Sequence, residues 1–459
     1  MKRGFRPPIV ISLALLCATC AWSQSQSQPS SDADQSGDTQ AQPGPKPAFT
    51  YPDETPSLDF ISQAAENSAL TLGVSGGIGY FGNIGRDTNS SNQNRVLLQV
   101  RPSIKIEQYR PKLVWYFSYA GGLQSYTEGG NSGYSNIFGQ AATADILWQF
   151  AKHWQMHADD QFIYSANPFD SYITHQGSPT VNNPAPETYF PLSRYTRNSG
   201  LLEITDQLTL HDTLDFSGTS YLRRTSSSDL TTVPFFNLIS YGGRASYNHQ
   251  LSPRWTLGAG YNYNSLDFGH GLQRTGVQTL MLSGQYLIQP HMVISIWVGP
   301  EYSSTKSVVA IPLLGFTFYQ IFHTSLWSTA GGATFGWQGI RNSFRADFSR
   351  QVSDGGGILA TTQMLRTGAQ FRRQLRPRWA VDLGVTYWKD TSITVSSRKF
   401  SYTVANVSLT HEISRSLNAS LQYAYGHERQ QNIVVGAPSY NDNRIQFNID
   451  YNWHHPLGR

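Results

Sequence analysis

Apolar and polar residues alternate along most of this chain, from Leu70 to Trp453, and tight polar turns interrupt the alternation at intervals. Gln250-Leu251-Ser252-Pro253-Arg254-Trp255 and Gln374-Leu375-Arg376-Pro377-Arg378-Trp379 are two copies of one punctuation. Phe150-Ala151-Lys152-His153-Trp154, Ile288-Gln289-Pro290-His291-Met292 and Ile413-Ser414-Arg415-Ser416-Leu417 are looser ones. Between them lie paired segments of about ten to thirteen residues, the length a tilted strand needs to cross a bilayer. A period of two places alternate side chains on opposite faces, which predicts strands. The predicted spans are 70–82, 95–107, 112–122, 139–150, 153–165, 197–210, 213–224, 237–250 and 255–266 in the first half. The second half gives 276–288, 292–303, 326–337, 341–352, 361–374, 379–389, 400–413, 417–429 and 443–453. Eighteen strands is the central reading, with sixteen to twenty as the range. The segment from Ser303 to Ser325, with Ile311 to Phe322 at its centre, fits strand, loop or inward-folded constriction equally.

Each strand has one stripe suited to lipid and one suited to water. Trp379, Val381, Leu383, Val385 and Tyr387 alternate with Asp382, Gly384 and Thr386, and Ile445, Phe447, Ile449, Tyr451 and Trp453 alternate with Arg444, Gln446, Asn448 and Asp450. Rings gather at strand ends. Trp148, Trp154, Trp255, Trp337, Trp379 and Trp453 lie beside the short turns, and Tyr164, Tyr263, Tyr387 and Tyr425 lie near the other ends. Amphipathic rings settle at headgroup level, so two such belts are expected girdles. The expected fold is therefore all-β: a transmembrane antiparallel up-and-down barrel.

The wet stripe carries Arg95, Arg101, Lys105, Arg223, Arg244, Arg345, Arg366, Arg372 and Arg444. It also carries Glu107, Asp145, Asp159, Glu203, Asp215, Glu301, Asp347, Asp382, Glu412 and Asp450. With both signs present in similar numbers, no single-sign selectivity filter is implied. These charges brace the wall in pairs or form a constriction; Arg345, Asp347, Arg366, Arg372 and Asp382 are the lumen-facing candidates for the latter. Asp160 and Asp206 fall by parity on the lipid stripe, which implies either a β-bulge that turns them inward or a contact that shields them. Lumen-side rings such as Tyr221, Trp388 and Tyr402 pack the wall or stack on sugars.

Composition narrows the class. Only 14% of residues are charged and 13% aromatic, with 40 glycines and a mean hydropathy of −0.37. A soluble chain of this size carries nearer a quarter charged residues. The formal charge of +4 argues for no nucleic-acid partner. Lys2, Arg3 and Arg6, the apolar run Ile9 to Leu16 and the small-x-small Ala21-Trp22-Ser23 predict a secretory signal over 1–23. Cys17 and Cys20 both fall inside it, so a mature chain would have no disulfide or thiol chemistry. Residues 24–69, rich in Gln, Ser, Asp and Pro, read as a disordered periplasmic tail with a short helix in 58–69. The barrel is expected over 70–453, with 454–459 as a C-terminal extension.

Signal, tail, paired strands and a terminal aromatic strand, Asn448-Ile449-Asp450-Tyr451-Asn452-Trp453, resemble the outer-membrane β-barrel proteins of Gram-negative bacteria. The resemblance is architectural and porin-like. It implies residence in outer-membrane lipid and a path for polar solutes or an exopolysaccharide. The other class is an adhesive or structural barrel with a plugged lumen that acts through its loops. No Gly-x-Ser-x-Gly, His-Glu-x-x-His or phosphate loop is present, so neither an enzyme nor a cofactor is expected. His153 with His157, and His454 with His455, lack metal-site spacing on strands. The longest link, 166–196, with Phe169, Tyr172, Tyr189 and Phe190 to pack it, is expected to be an inward constriction, an outer contact surface or a mobile crown.

Overall fold

The computed structural model describes residues 68–82, 95–126, 135–165, 194–226, 237–269, 271–313, 316–355, 361–393, 398–431 and 440–457. The described chain is a succession of strands. They are β1 (Ala69–Gly82), β2 (Arg95–Arg110), β3 (Leu113–Tyr126), β4 (Ser135–Trp148), β5 (Trp154–Ser165), β6 (Arg194–Gln207), β7 (Asp212–Ser226), β8 (Leu238–Ser252) and β9 (Trp255–Phe268). Then follow β10 (Gln273–Gln289), β11 (Met292–Leu313), β12 (Phe316–Gln338), β13 (Asn342–Ser353), β14 (Thr362–Arg376), β15 (Trp379–Ser392), β16 (Lys399–Ser414), β17 (Leu417–Gln431) and β18 (Tyr440–Pro456).

Every strand pairs antiparallel with its neighbours in sequence, and β1 pairs with β18 as well as β2, so the sheet closes and has no free side. Closure is what permits a sheet to lie in lipid, since every backbone N–H and C=O then has a partner. Strand count and order are those expected from the alternation. The residues after Trp453 differ from expectation: His454, His455 and Pro456 continue β18 and face Thr71, Leu70 and Ala69. The tail and signal lie outside the described residues.

The recurrent punctuation has a structural meaning. At four of the short turns the ladder slips by one residue, skipping Leu251, Ile288, Leu375 and Ile413. Each is a β-bulge beside a two-residue turn, which adds twist where the ribbon reverses. At the first, the Ser252 hydroxyl accepts hydrogen bonds from the amides of Arg254 and Trp255, at 3.3 and 3.2 Å. The skipped residue is apolar in all four, and Leu251, Leu375 and Ile413 are exposed at the rim.

Two strands carry a proline in mid-run, which removes a ladder donor. The β2–β3 register omits Arg101 and Pro102, and the β10–β11 register omits Gly299 and Pro300. A glycine lets the backbones close at each place. A Cβ on Gly122 would stand 2.1 Å from the Val100 carbonyl oxygen, and one on Gly299 1.6 Å from that of Leu280.

The outer stripe is apolar nearly all round, with Val74, Ile78, Leu282, Ile296, Val298, Leu383, Leu421 and Phe447 all exposed. The inner stripe is polar and partly buried, with Thr213, Asn248, Thr275, Thr334, Ser408 and Asn448 among its buried members. In the ambiguous segment Ser303–Ser325, the described residues 303–313 and 316–325 are strand. There β11 and β12 pair from Met292↔Trp337 as far as Leu313↔Phe316. β13 accompanies β12 only over Gly331–Gln338, so the upper β11–β12 ribbon stands clear of the wall, and residues 319–327 are exposed on both faces.

Candidate functional site: a hairpin end folded across the lumen

β13 stops pairing with β12 at Arg350, yet it stays paired with β14 through Gln351, Val352 and Ser353. The end of the β13–β14 hairpin thus bends away from the wall. Its contacts show which way. The Val352 amide donates to both carboxylate oxygens of Glu301 on β11, each at 3.1 Å. Arg223 on β7 pairs with Asp354 at 3.2 Å, both side chains almost fully buried. The Thr361 hydroxyl lies 2.6 Å from that of Thr275 on β10 and accepts from Gln273 Nε2 at 3.1 Å. Strand β10 is three places from β13 around the wall, and β7 is six. Polar side chains on such distant strands meet only through the interior, so the described hairpin ends, 351–355 and 361–362, form a strap across the lumen.

The strap rests on a network of buried acceptors and donors. Glu301 also accepts from the Ser328 hydroxyl at 2.8 Å, and Thr275 reaches Thr305 at 2.9 Å. On the other flank Thr362 donates to Asp390 at 2.9 Å. Glu301 is 2% exposed and Thr361 and Thr362 0%. Burying such groups is tolerable only when they are satisfied, which makes the network a specific seat for the strap. Gly355 has φ +60, the left-handed conformation that lets the chain reverse just after Asp354. Beside the strap, Tyr221, Leu238, Leu266 and Phe268 form an apolar cluster on the inner side of β7, β8 and β9.

The sequence-predicted lumen charges take their expected face wherever their side chains are described. Arg366 pairs with Asp347 at 3.5 Å and Arg372 with Asp382 at 3.6 Å, while Arg345 lies opposite Gly336 and Gln370. Four of the five candidates are thus brought together as ion pairs along the wall of β13, β14 and β15. Across the lumen the β4–β7 wall presents Asp145, Asp159, Glu203 and Asp215. His157 stands 3.4 Å from Asp145 and 3.9 Å from Glu203. β5 and β14 are nine strands apart in a ring of eighteen, hence diametrically opposite. Below the strap, a wall with four carboxylates therefore faces one with three arginines and two aspartates; nearer the strap, β6 and β7 add Arg197 and Arg223 and β15 adds Asp390.

The six tryptophans all lie on the outer face within a few residues of the short turns. Trp148, Trp154, Trp255 and Trp453 are exposed, and Trp379 stacks on His411 at 4.0 Å. Trp388 and Tyr402 pack edge to face at 4.6 Å on the inner wall and are 1% and 2% exposed, so they offer no ring face to a sugar. Most of the 166–196 link lies outside the described residues. The bulge expected at Asp160 and Asp206 is not there: β5 and β6 pair without a slip on either side. Asp206 sits at the rim opposite Trp154, whereas Asp160 is truly on the outer wall.

Sequence reasoning missed the strap because its partners lie on strands remote in the chain. The available signal was the run Asp354-Gly355-Gly356-Gly357 just past the predicted strand 341–352.

A closed barrel with an apolar outer belt, aromatic ends and a polar interior is a transmembrane β-barrel. Among solved structures the chain is similar to OpdQ of Pseudomonas aeruginosa, with 10% identity and a TM-score of 0.41 over 85% of this chain and 99% of that one. OccAB1 of Acinetobacter baumannii gives 9% and 0.42 over 84% and 96%, and the outer membrane protein opdK of Pseudomonas aeruginosa 9% and 0.40 over 85% and 99%. No protein-family model matches the sequence, and no curated protein matches it.

Proposed function

We propose that this protein is a porin-like channel of a Gram-negative outer membrane, passing small polar solutes through a hydrated barrel narrowed by the strap at the end of the β13–β14 hairpin. The observation that carries the reading is the strap itself. An eighteen-strand cylinder is wide enough to hold water, and a polar segment seated across it sets the size of what passes. The opposed walls of acid and arginine make a transverse field that favours solutes carrying charge or a dipole over apolar ones. An exopolysaccharide route is less well served, since the strap obstructs a polymer and the inner rings are packed away.

Proteoliposomes made with the full chain test this. Swelling in small polar solutes, falling off as solute size rises, supports the channel; vesicles as tight as lipid alone refute it. The adhesive reading keeps one observation in its favour, the projecting β11–β12 ribbon with Tyr319 and Trp327 each 70% exposed. Loss of cell-surface binding on removing that ribbon, with no solute flux from the intact chain, would favour adhesion instead.

A further inference from the structure

On the outer wall, midway between the ring of Trp154 and the ring of Tyr164, stands the carboxylate of Asp160. It accepts a hydrogen bond from the Asn198 side-chain amide on β6 at 3.0 Å, and both side chains face outward. The surrounding wall differs from the rest of the belt. Ala158 and Gly200 flank the pair, and Gly218 and Gly243 continue the flat surface on β7 and β8. A Cβ added at Gly218 would meet nothing within 4 Å. At comparable depth elsewhere the belt is bulky, with Leu280 and Leu282 on β10, Ile296 and Val298 on β11, and Leu383 and Val385 on β15.

We propose that this polar island is the contact between two copies of this chain, related by a two-fold axis along the membrane normal between β5 and β6. The inference rests on the wall being in lipid, where an ionisable side chain is costly and a polar group needs a partner. The occupant must supply a hydrogen-bond donor at one depth in the belt. Headgroups lie too far out to do so, and a single carboxylate is a poor seat for a cation. A second copy satisfies the condition automatically, because it inserts at the same depth and orientation. A two-fold interface is self-complementary, so a donor beside an acceptor meets its own mirror pair. The second N–H of Asn198 makes only a 3.4 Å contact with the Gln161 carbonyl and turns readily to the partner's carboxylate. The small residues around it let two walls approach closely, as small residues do between helices in membranes.

Cysteine cross-linking in native membranes tests the dimer, using the full chain with Cys17→Ser and Cys20→Ser. The variant Ala158→Cys is expected to give a disulfide-linked band of twice the chain mass, and Val385→Cys on the opposite wall none. Adding Asn198→Leu to Ala158→Cys is expected to remove the band while heat-modifiable mobility stays intact. Monomer at Ala158→Cys, or linkage to a different protein, overturns the proposal. Leu282→Cys serves as the lipid control, expected to take a lipid-soluble maleimide and resist a water-soluble one. The reverse result there would refute the membrane placement, and the dimer with it.

Discussion

Among single residues, a few buried polar groups hold the strap in place. Arg223 and Asp354 are almost wholly out of water, and removing one takes a buried ionic partner from the other. Such a loss costs about 3–5 kcal/mol in a buried pair. Because the strap is one short segment seated by several bonds, that cost should loosen the seat rather than unfold the barrel. Arg223→Ala is therefore expected to raise unit conductance and current noise in a planar bilayer, with heat-modifiable mobility unchanged. An unaltered conductance would mean that the strap is not the narrow place. The charged walls make a separate prediction. Asp159→Asn with Glu203→Gln should shift the reversal potential in a salt gradient towards anion preference, and Arg372→Gln should shift it the other way. Parity alone located these charges in the sequence, since residues two apart share a face. What parity could not give was their sorting around the ring, which depends on closure and strand count.

At the scale of elements, the bulged turns were visible as punctuation, though their skipped residue was not. Leu251 and Leu375 fall just past the predicted strand ends at 250 and 374, and only the register shows each to be the skipped residue of a bulge. The strap was hidden for a related reason: Gln351 to Ser353 alternate like any strand end, and nothing local says that the hairpin leaves its neighbour. The upper part of β12 was hidden the other way, since residues 319–327 are exposed on both faces and the alternation fades. Two outcomes are expected at this scale. Replacing Thr275 and Thr361 together by cysteine, where the hydroxyls lie 2.6 Å apart, should form a disulfide that quiets current fluctuations until a reductant is added. Gly299→Val would drive a side chain into the Leu280 carbonyl, and overpacking of this kind costs about 1–3 kcal/mol or more. The measured result should be a lower temperature of heat modification and a poorer yield of folded protein, whereas Gly218→Val, in open space, should be neutral for folding.

At the scale of the whole molecule, a closed sheet turns one sequence pattern into two environments. The apolar stripe of each strand becomes a belt, and the polar stripe becomes a lumen whose walls differ in charge. Asp160 shows the limit of that rule, because its side chain obeys the parity of its strand and breaks the chemistry of the belt. The direct test of the central claim, a water-filled barrel narrowed from within, is unit conductance of the intact chain beside Arg223→Ala under identical salt. Discrete steps in the intact protein, larger in the variant, are the predicted result. Membranes that stay silent with correctly folded samples of both would contradict it.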